Sequence, residues 1–371
     1  MAVSKSPSSG SFTSVAAAAA TYIGAVVGAG FASGKEIYLF FTSLGAASRP
    51  GIVVSAFLFV LAGGALLDLS RNLKRDDIEG LLGATLGGIG VRLLTPAMMA
   101  FIYGALAIML AGGGSLSHTG ASLDRDIGII ITATIVCVIV LNGSGGILLS
   151  NLVIVPVMAA VMLYTATTVL IHPEMSGPDM TGVGWMYEGQ WICSIWAPVI
   201  YTSYNLLLVM GMLAAIGNRI PGSRSAYFSA TAGGVGIGLL LGIINEAMLR
   251  SPDAIADSEI PMLAMAALRG RGVQLAYQIA VYMAMITSAT SAAYTIGKRL
   301  GPIVNSSPSR VGAWITVLAV PLARRGFTTL LTHIYPLAGY IGIPMLSAII
   351  IRYLVVKLAA RAGMSPRNKH R

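Results

Sequence analysis

Apolar runs long enough to cross a bilayer recur along almost the whole chain, and no other feature limits its fold as strongly. A spanning helix needs about 20 apolar residues. Ten stretches meet or approach that length: 14–42, 51–70, 93–114, 127–142, 146–171, 192–217, 225–249, 272–297, 310–323 and 328–356, of which the fourth and ninth are short. Charged residues make up 10% of the chain and hydrophobic ones 56%, against about 25% charged in an ordinary soluble domain. So few charges cannot cover a water-facing surface, so most of the exterior meets lipid, where backbone polar groups must be satisfied internally. The expectation is an all-α, polytopic membrane protein of about ten transmembrane helices.

The net charge of +10 does not read as a nucleic-acid footprint, because the Lys and Arg sit in short loops between apolar runs and form no basic face interleaved with aromatics. Their distribution sets orientation. Inside segments collect Lys5, Arg71, Lys74, Arg75, Arg92, Arg219, Arg224, Lys298, Arg299, Arg310 and the basic end from Arg352 to Arg371. Outside segments hold fewer, and the Arg324–Arg325 pair among them fits the rule poorly. Both termini are therefore expected in the cytoplasm, in a bacterial-type inner membrane. Cys137 and Cys193 both lie in apolar runs, which excludes a disulfide framework. The expected organisation is a polar tail at 1–13, five spans over 14–171, an acidic Gly/Pro-rich outside loop at 172–191, five spans over 192–356 and a basic tail at 357–371. A short apolar helix over 259–268 is expected to cap the outer face.

The two groups of five spans are similar in length, and the first span of each is interrupted. Matching interruptions in two halves point to an inverted-repeat transporter with its binding site at the breaks. In span one the break is Gly28-Ala29-Gly30-Phe31-Ala32-Ser33-Gly34. Each glycine weakens a helix by about 1 kcal/mol relative to Ala. A helix restarting at Lys35, capped by Ser33 or Gly34, would aim its positive end at the break, which suits a carboxylate. The other reading is a glycine face for close helix packing. In span six Pro198 removes a helix donor, and Tyr201, Ser203, Tyr204 and Asn205 follow in an otherwise apolar run. The other reading there is a proline kink with tyrosines packed between helices. Span eight places Thr287, Ser288, Thr290 and Ser291 within five residues. These are hard oxygen ligands for a small cation, or hydroxyls bonded back to their own helix.

The segment from Ile23 through Gly34-Lys35-Glu36 to Ile37 resembles the opening signature of the YkvI-like family of bacterial membrane proteins. Tyr201-Thr202-Ser203-Tyr204-Asn205 and Tyr335-Pro336-Leu337-Ala338-Gly339-Tyr340 extend the resemblance along most of the chain. It implies the leucine-transporter-like fold of the amino acid–polyamine–cation superfamily: a 5+5 inverted repeat with broken helices one and six. The resemblance further implies that the two breaks face each other and hold substrate, and that Tyr103 in span three faces it. It also implies a Na⁺ site made of Thr287, Ser288 and the carbonyls of Ala284, Gly24 and Val27, with Thr290 and Ser291 competing for the hydroxyl role. Lys35 departs from the family pattern, where Gln is expected.

Lys35 and Glu36 are costly charges at membrane depth. Lys35 either takes part in ion coupling or snorkels outward. Glu36, which is shorter, suits a proton or ion role, or pairs with another helix. Asp68 reads as interfacial, Asn245 and Glu246 as outer-vestibule residues, and His333 as a membrane histidine. Neither HExxH nor a nucleophile–base constellation is present, and Asp76-Asp77 reads as a solvated charge cluster, so an enzyme is not expected. The leading expectation is a secondary transporter of an amino acid or similar small zwitterion, coupled to Na⁺ or H⁺. It needs no cofactor beyond the coupling ion, and its partners are the substrate and the lipid bilayer. The second reading is a ligand sensor with the same fold.

Overall fold

The computed structural model describes residues 9–74, 78–142, 145–172 and 190–361. Every apolar run expected from the sequence lies on helix. The first is divided into α1 (Ser9–Val26), α2 (Ala29–Ser33) and α3 (Lys35–Phe40), followed by a 3₁₀ segment, Thr42–Ala47. Then come α4 (Ser48–Leu73), α5 (Ile78–Ala121), α6 (Arg125–Leu141) and α7 (Gly145–Ile171). The second half holds α8 (Gln190–Gly217), α9 (Ser223–Leu249), the short α10 (Pro252–Ile255) and α11 (Pro261–Ala267), then α12 (Arg271–Leu300), α13 (Pro308–Ala323) and α14 (Phe327–Arg361). Among the described residues, six helices are long and apolar enough to cross a membrane, and three shorter apolar helices accompany them.

Several boundaries differ from expectation for local reasons. The first helix begins at Ser9, inside the expected 1–13 tail, because Ser and Gly there precede an Ala-rich run that propagates helix. The last helix continues to Arg361, past the expected start of a tail at 357. Most of the expected 172–191 loop, residues 173–189, lies outside the described residues, as do 362–371 and the Asp76-Asp77 pair. The third span is preceded by an extra helical stretch within α5, turned at Gly87 (φ 70°, ψ −175°), a conformation open to glycine. There Leu81 and Leu82 are fully buried.

Helix six is not broken. Through Pro198, α8 stays one continuous helix, because a proline removes a single donor and bends a helix without having to open it. Asn205 Nδ2, expected to face substrate, instead donates to Tyr201 O one turn back (3.0 Å).

The helices sort into two groups that mix the halves. In one, α4 packs on α8 and α9, and α1 packs on the same pair. In the other, α12 and α13 pack on α5 and α6. Spans one and two thus join six and seven, and three and four join eight and nine, which is the pairing a five-plus-five repeat demands. Small residues allow the close approach. A side chain at Gly312 would meet Ala293 O, and one at Gly342 would meet Ser203 O. On the outside, Phe57, Leu239, Trp314 and Leu337 stand exposed, an exterior suited to lipid rather than water.

Among the described residues, ion pairs connect segments that the alternation of spans puts on one side. Arg49 pairs with Glu246 (2.7 Å), Arg125 with Glu259 (3.1 Å) and Arg324 with Asp126 (3.4 Å). The last gives the ill-fitting Arg324 a partner. At the opposite end Asp68 is fully buried within the protein. It accepts from Ser223 Oγ (2.6 Å) at the start of α9 and meets Arg71 (3.0 Å) and Lys357 of α14 (3.5 Å). Asp68→Ala is expected to destabilise the fold by about 3 kcal/mol, the order found when one partner leaves a buried charge network. Arg324→Ala, at a pair whose side chains are both 52% exposed, should change stability by less than ~1 kcal/mol. Thermal unfolding of the detergent-solubilised variants checks this ranking.

Candidate functional site

The site begins where span one stops being a helix. Gly28 N–H bonds to Val26 O (2.8 Å) and so does not continue the ladder to Gly24. Gly28 is extended (φ −90°, ψ −172°), and α2 starts at Ala29 with no side-chain cap. The helix end facing the break at Gly28 is that of α2, and α3 restarts at Lys35 with Gly34 as its N-cap, as expected. A second turn follows at Gly34 (φ 76°), a left-handed conformation that favours glycine. Ser33 Oγ donates to Gly30 O (2.7 Å) and accepts from Lys35 N (3.1 Å), joining α2 to α3. Tyr277 of α12 donates to Ala32 O (2.6 Å) and holds the broken segment against the second helix group. Phe31 is 1% exposed and packs in the core.

Lys35 and Glu36 are both buried but point to different places. Lys35 Nζ donates to Ser258 O (2.8 Å), in the segment leading into α11, and lies 5.2 Å from the Tyr38 ring centroid. It ties the broken span to the segment before α11. Glu36 turns into the bundle, where Tyr204 Oη of α8 donates to its Oε2 (2.7 Å). Tyr335 of α14 brings a second hydroxyl beside the same carboxylate. Gly30 makes room for this group, since any side chain there would overlap Glu36 Oε1.

Aromatic rings surround the carboxylate. Tyr204 lies 4.7 Å from Tyr335, 5.5 Å from Tyr201 and 5.6 Å from Phe40, and Phe101 of α5 approaches Tyr204 and Tyr335 at 6.5 and 6.0 Å. Tyr201 packs on Phe41 (5.0 Å) and Phe59 (6.1 Å), and its buried hydroxyl has no hydrogen-bond partner among the described residues. Spans one, two, three, six and ten therefore meet around Glu36.

Other expected site residues lie elsewhere. Tyr103 donates to Leu318 O of α13 (2.8 Å) and turns away from the cluster. Two residues span about 200° of helix, so Phe101 faces the site in its place. Ser203 lines a separate cavity of about 100 Å³ between α4, α8 and α14. In span eight Thr287 Oγ1 donates to Ala284 O (3.1 Å) and Thr290 Oγ1 to Ile286 O (2.7 Å). Their hydroxyls bond back to their own helix. Asn245 is buried between Thr42 Oγ1 (2.9 Å) and Ser48 Oγ (2.9 Å), and exposed His333 bonds to Thr329 O (2.7 Å). The sequence reading missed Tyr335, Phe101 and Tyr277 as site residues. A signal existed for Tyr335, since Tyr335-Pro336 puts a hydroxyl beside an intrahelical proline, as happens near Pro198.

No family model matches the chain. Over 335 residues it is 27% identical to the uncharacterized membrane protein YkvI of Bacillus subtilis, covering 89% of this chain and 94% of that protein. It is 23% identical to YyaD of the same organism, over 90% and 96% of the two chains. Its fold is similar to that of MhsT in complex with L-phenylalanine (TM-score 0.60, 14% identity, 95% and 92% of the chains). A mutant of the Eremococcus coleocola manganese transporter gives a TM-score of 0.61 at 12% identity, over 99% and 91%. The chain resembles YkvI along nearly its whole length and has the leucine-transporter-like fold. The resemblance carried by its span-one motif thus extends over nearly all of the YkvI-like chain.

The two motif glycines have opposite demands. Gly28→Ala meets nothing within 4 Å and suits an extended backbone, so its stability should change by less than ~1 kcal/mol. Gly30→Ala must displace Glu36 and is expected to cost about 1–3 kcal/mol. Parallel thermal melts of the two purified variants test the contrast.

Proposed function

We propose that this chain is a secondary active transporter. It carries an amino acid or similar small zwitterion across a bacterial inner membrane by alternating access, driven by a Na⁺ or H⁺ gradient. One observation carries the reading: span one breaks at Val27–Gly28 inside the protein, and a buried carboxylate, Glu36, sits beside that break on hydroxyls from two other spans. Interrupted backbone at membrane depth is tolerated where it is buried in protein or lines a cavity, and such breaks are where transporters of this kind bind solute. The similar solved proteins include one in complex with L-phenylalanine and one that is a manganese transporter, which supports transport while leaving the solute class to the site.

In this reading Gly28, Ala29, Gly30 and Tyr201 border the solute and Glu36 takes part in coupling. The carbonyls of Gly24, Val27 and Ala284 with Thr287 and Ser288 remain the candidate Na⁺ ligands, for which Thr287 would have to leave its own helix. Lys35 acts in closing the outer side. Both termini face the cytoplasm, as the Lys/Arg distribution favours. The chain acts on its solute without chemical change.

Uptake of a panel of radiolabelled L-amino acids into proteoliposomes, under an imposed Na⁺ or H⁺ gradient, tests the proposal. At least one amino acid should accumulate above protein-free vesicles. Glu36→Gln should lower that uptake by roughly tenfold or more, since hydrogen bonds to a charged group contribute about 1.5–3 kcal/mol. Uptake by no member of the panel under either gradient would remove the amino-acid assignment.

A further inference from the structure

Of the two buried carboxylates among the described residues, Asp68 is ion-paired and Glu36 is not. Asp68 has Arg71 and Lys357, Asp126 has Arg324, Glu246 has Arg49 and Glu259 has Arg125. Each of those contacts places a cationic side chain against the carboxylate. Glu36 is buried more deeply than most of them, at 4% exposure, yet among the described residues it has no Lys, Arg or His partner. The adjacent Lys35 is committed to Ser258 O. What Glu36 has instead is two tyrosine hydroxyls, from α8 and α14.

That choice of partner has a chemical consequence. An ammonium or guanidinium can only donate, so it fits a carboxylate and leaves a carboxylic acid unsatisfied. A tyrosine hydroxyl donates and accepts. With Glu36 charged, Tyr204 and Tyr335 both donate to it. With Glu36 protonated, its new O–H donates to one tyrosine oxygen while the other tyrosine still donates to the remaining carboxyl oxygen. Both protonation states are therefore hydrogen-bonded within the same packing, without moving a helix. A Na⁺ ion needs several oxygen ligands turned toward it. Here the hydroxyls point their protons at the carboxylate, and Thr287 and Thr290 bond to their own helix.

We infer that Glu36, clasped by Tyr204 and Tyr335, is a reversible proton-binding site and makes H⁺ the coupling ion of this protein. The inference rests on the transport reading for its biological use but not for its test. One proton adds to a carboxylate oxygen of Glu36 from the water on the side to which the site opens, and the same proton leaves to water on the other side. The tyrosines keep their own protons throughout. Among the described residues, the surrounding elements bring no other titratable group to Glu36 except Tyr201 on α8. On α9, Glu246 is paired with Arg49. On α14, His333 bonds to Thr329 O at the exposed surface. On α5, Tyr103 is turned to Leu318 O. Neither α2 nor α11 carries a charged residue. Glu36 and its two tyrosines link α3 of the first helix group to α8 and α14, so a change in its charge acts on the contact between the broken span and its neighbours.

The test is infrared difference spectroscopy of the purified full-length chain between acidic and alkaline buffer, with no solute added. A C=O stretching band of a protonated carboxylic acid should titrate with pH in the wild type and be lost in Glu36→Gln. Because that band reports hydrogen bonding, it should shift in Tyr204→Phe and in Tyr335→Phe, and stay in place in Asp68→Asn. The tyrosine variants keep the readout available if Glu36→Gln fails to purify as a folded protein. A titrating band unaffected by all three site variants would overturn the assignment. So would a band that Na⁺ removes at constant pH, which would make Glu36 a sodium ligand. Amino-acid uptake is measured separately, so failure of the panel would strike the transport reading and leave the infrared result to decide the proton site.

Discussion

A membrane offers the backbone no water, so each N–H and C=O at that depth needs a partner inside the protein. Everything distinctive here follows from one violation of the rule. Span one abandons its ladder at Val27–Gly28 and turns again at Gly34. Such a segment cannot face lipid, so it must be enclosed. The enclosure comes from α8 and α9 against α1 on one side and from α12 through the Tyr277–Ala32 bond on the other. The two mixed helix groups are thus the arrangement that can bury a broken helix.

Enclosure then decides what the adjacent charges do. Lys35 and Glu36 are neighbours in sequence, and helix geometry separates their side chains by about 100°. One reaches the segment before α11, and the other reaches the aromatic cluster. Around Glu36 the rings of Tyr201, Tyr204, Tyr335, Phe40 and Phe101 exclude solvent, while two hydroxyls replace the hydrogen bonds that water would supply. The paired charges lie toward the two ends: Arg49, Arg125 and Arg324 with their acidic partners at one, and Asp68 with Arg71 and Lys357 at the other. The bundle therefore has charge networks at its ends and a hydroxyl-bound carboxylate between them.

Much of the candidate site was legible before the fold was known, and the misses share a cause. The motif from Gly28 to Glu36 stood out because glycine density and charge at membrane depth are local properties. Tyr201 and Tyr204 stood out as polar groups in an apolar run. Tyr103 was misplaced and Phe101 overlooked because a helix in lipid carries apolar residues on every face, so periodicity does not tell its inward side from its outward side. Helix six was expected to open at Pro198 and does not, since whether a proline breaks or merely bends a helix depends on how neighbours pack there. The span-eight hydroxyls were ambiguous for a related reason: a Thr can bond its own helix or a ligand, and only the rotamer separates the two.

By itself the sequence determined the solvent, the helical class, the approximate spans, the point where the first span breaks and the presence of a carboxylate beside it. These follow from composition and from interactions within a few residues, where hydrogen bonding and chain propensity act. Only the tertiary structure decided that Glu36 meets hydroxyls and, among the described residues, no cation, that Lys35 reaches the segment before α11, that Asp68 is buried, and that Tyr335 and Phe101 join the site. Those partners lie up to about three hundred residues apart along the chain, and their meeting depends on how whole helices pack and rotate, which no local pattern encodes.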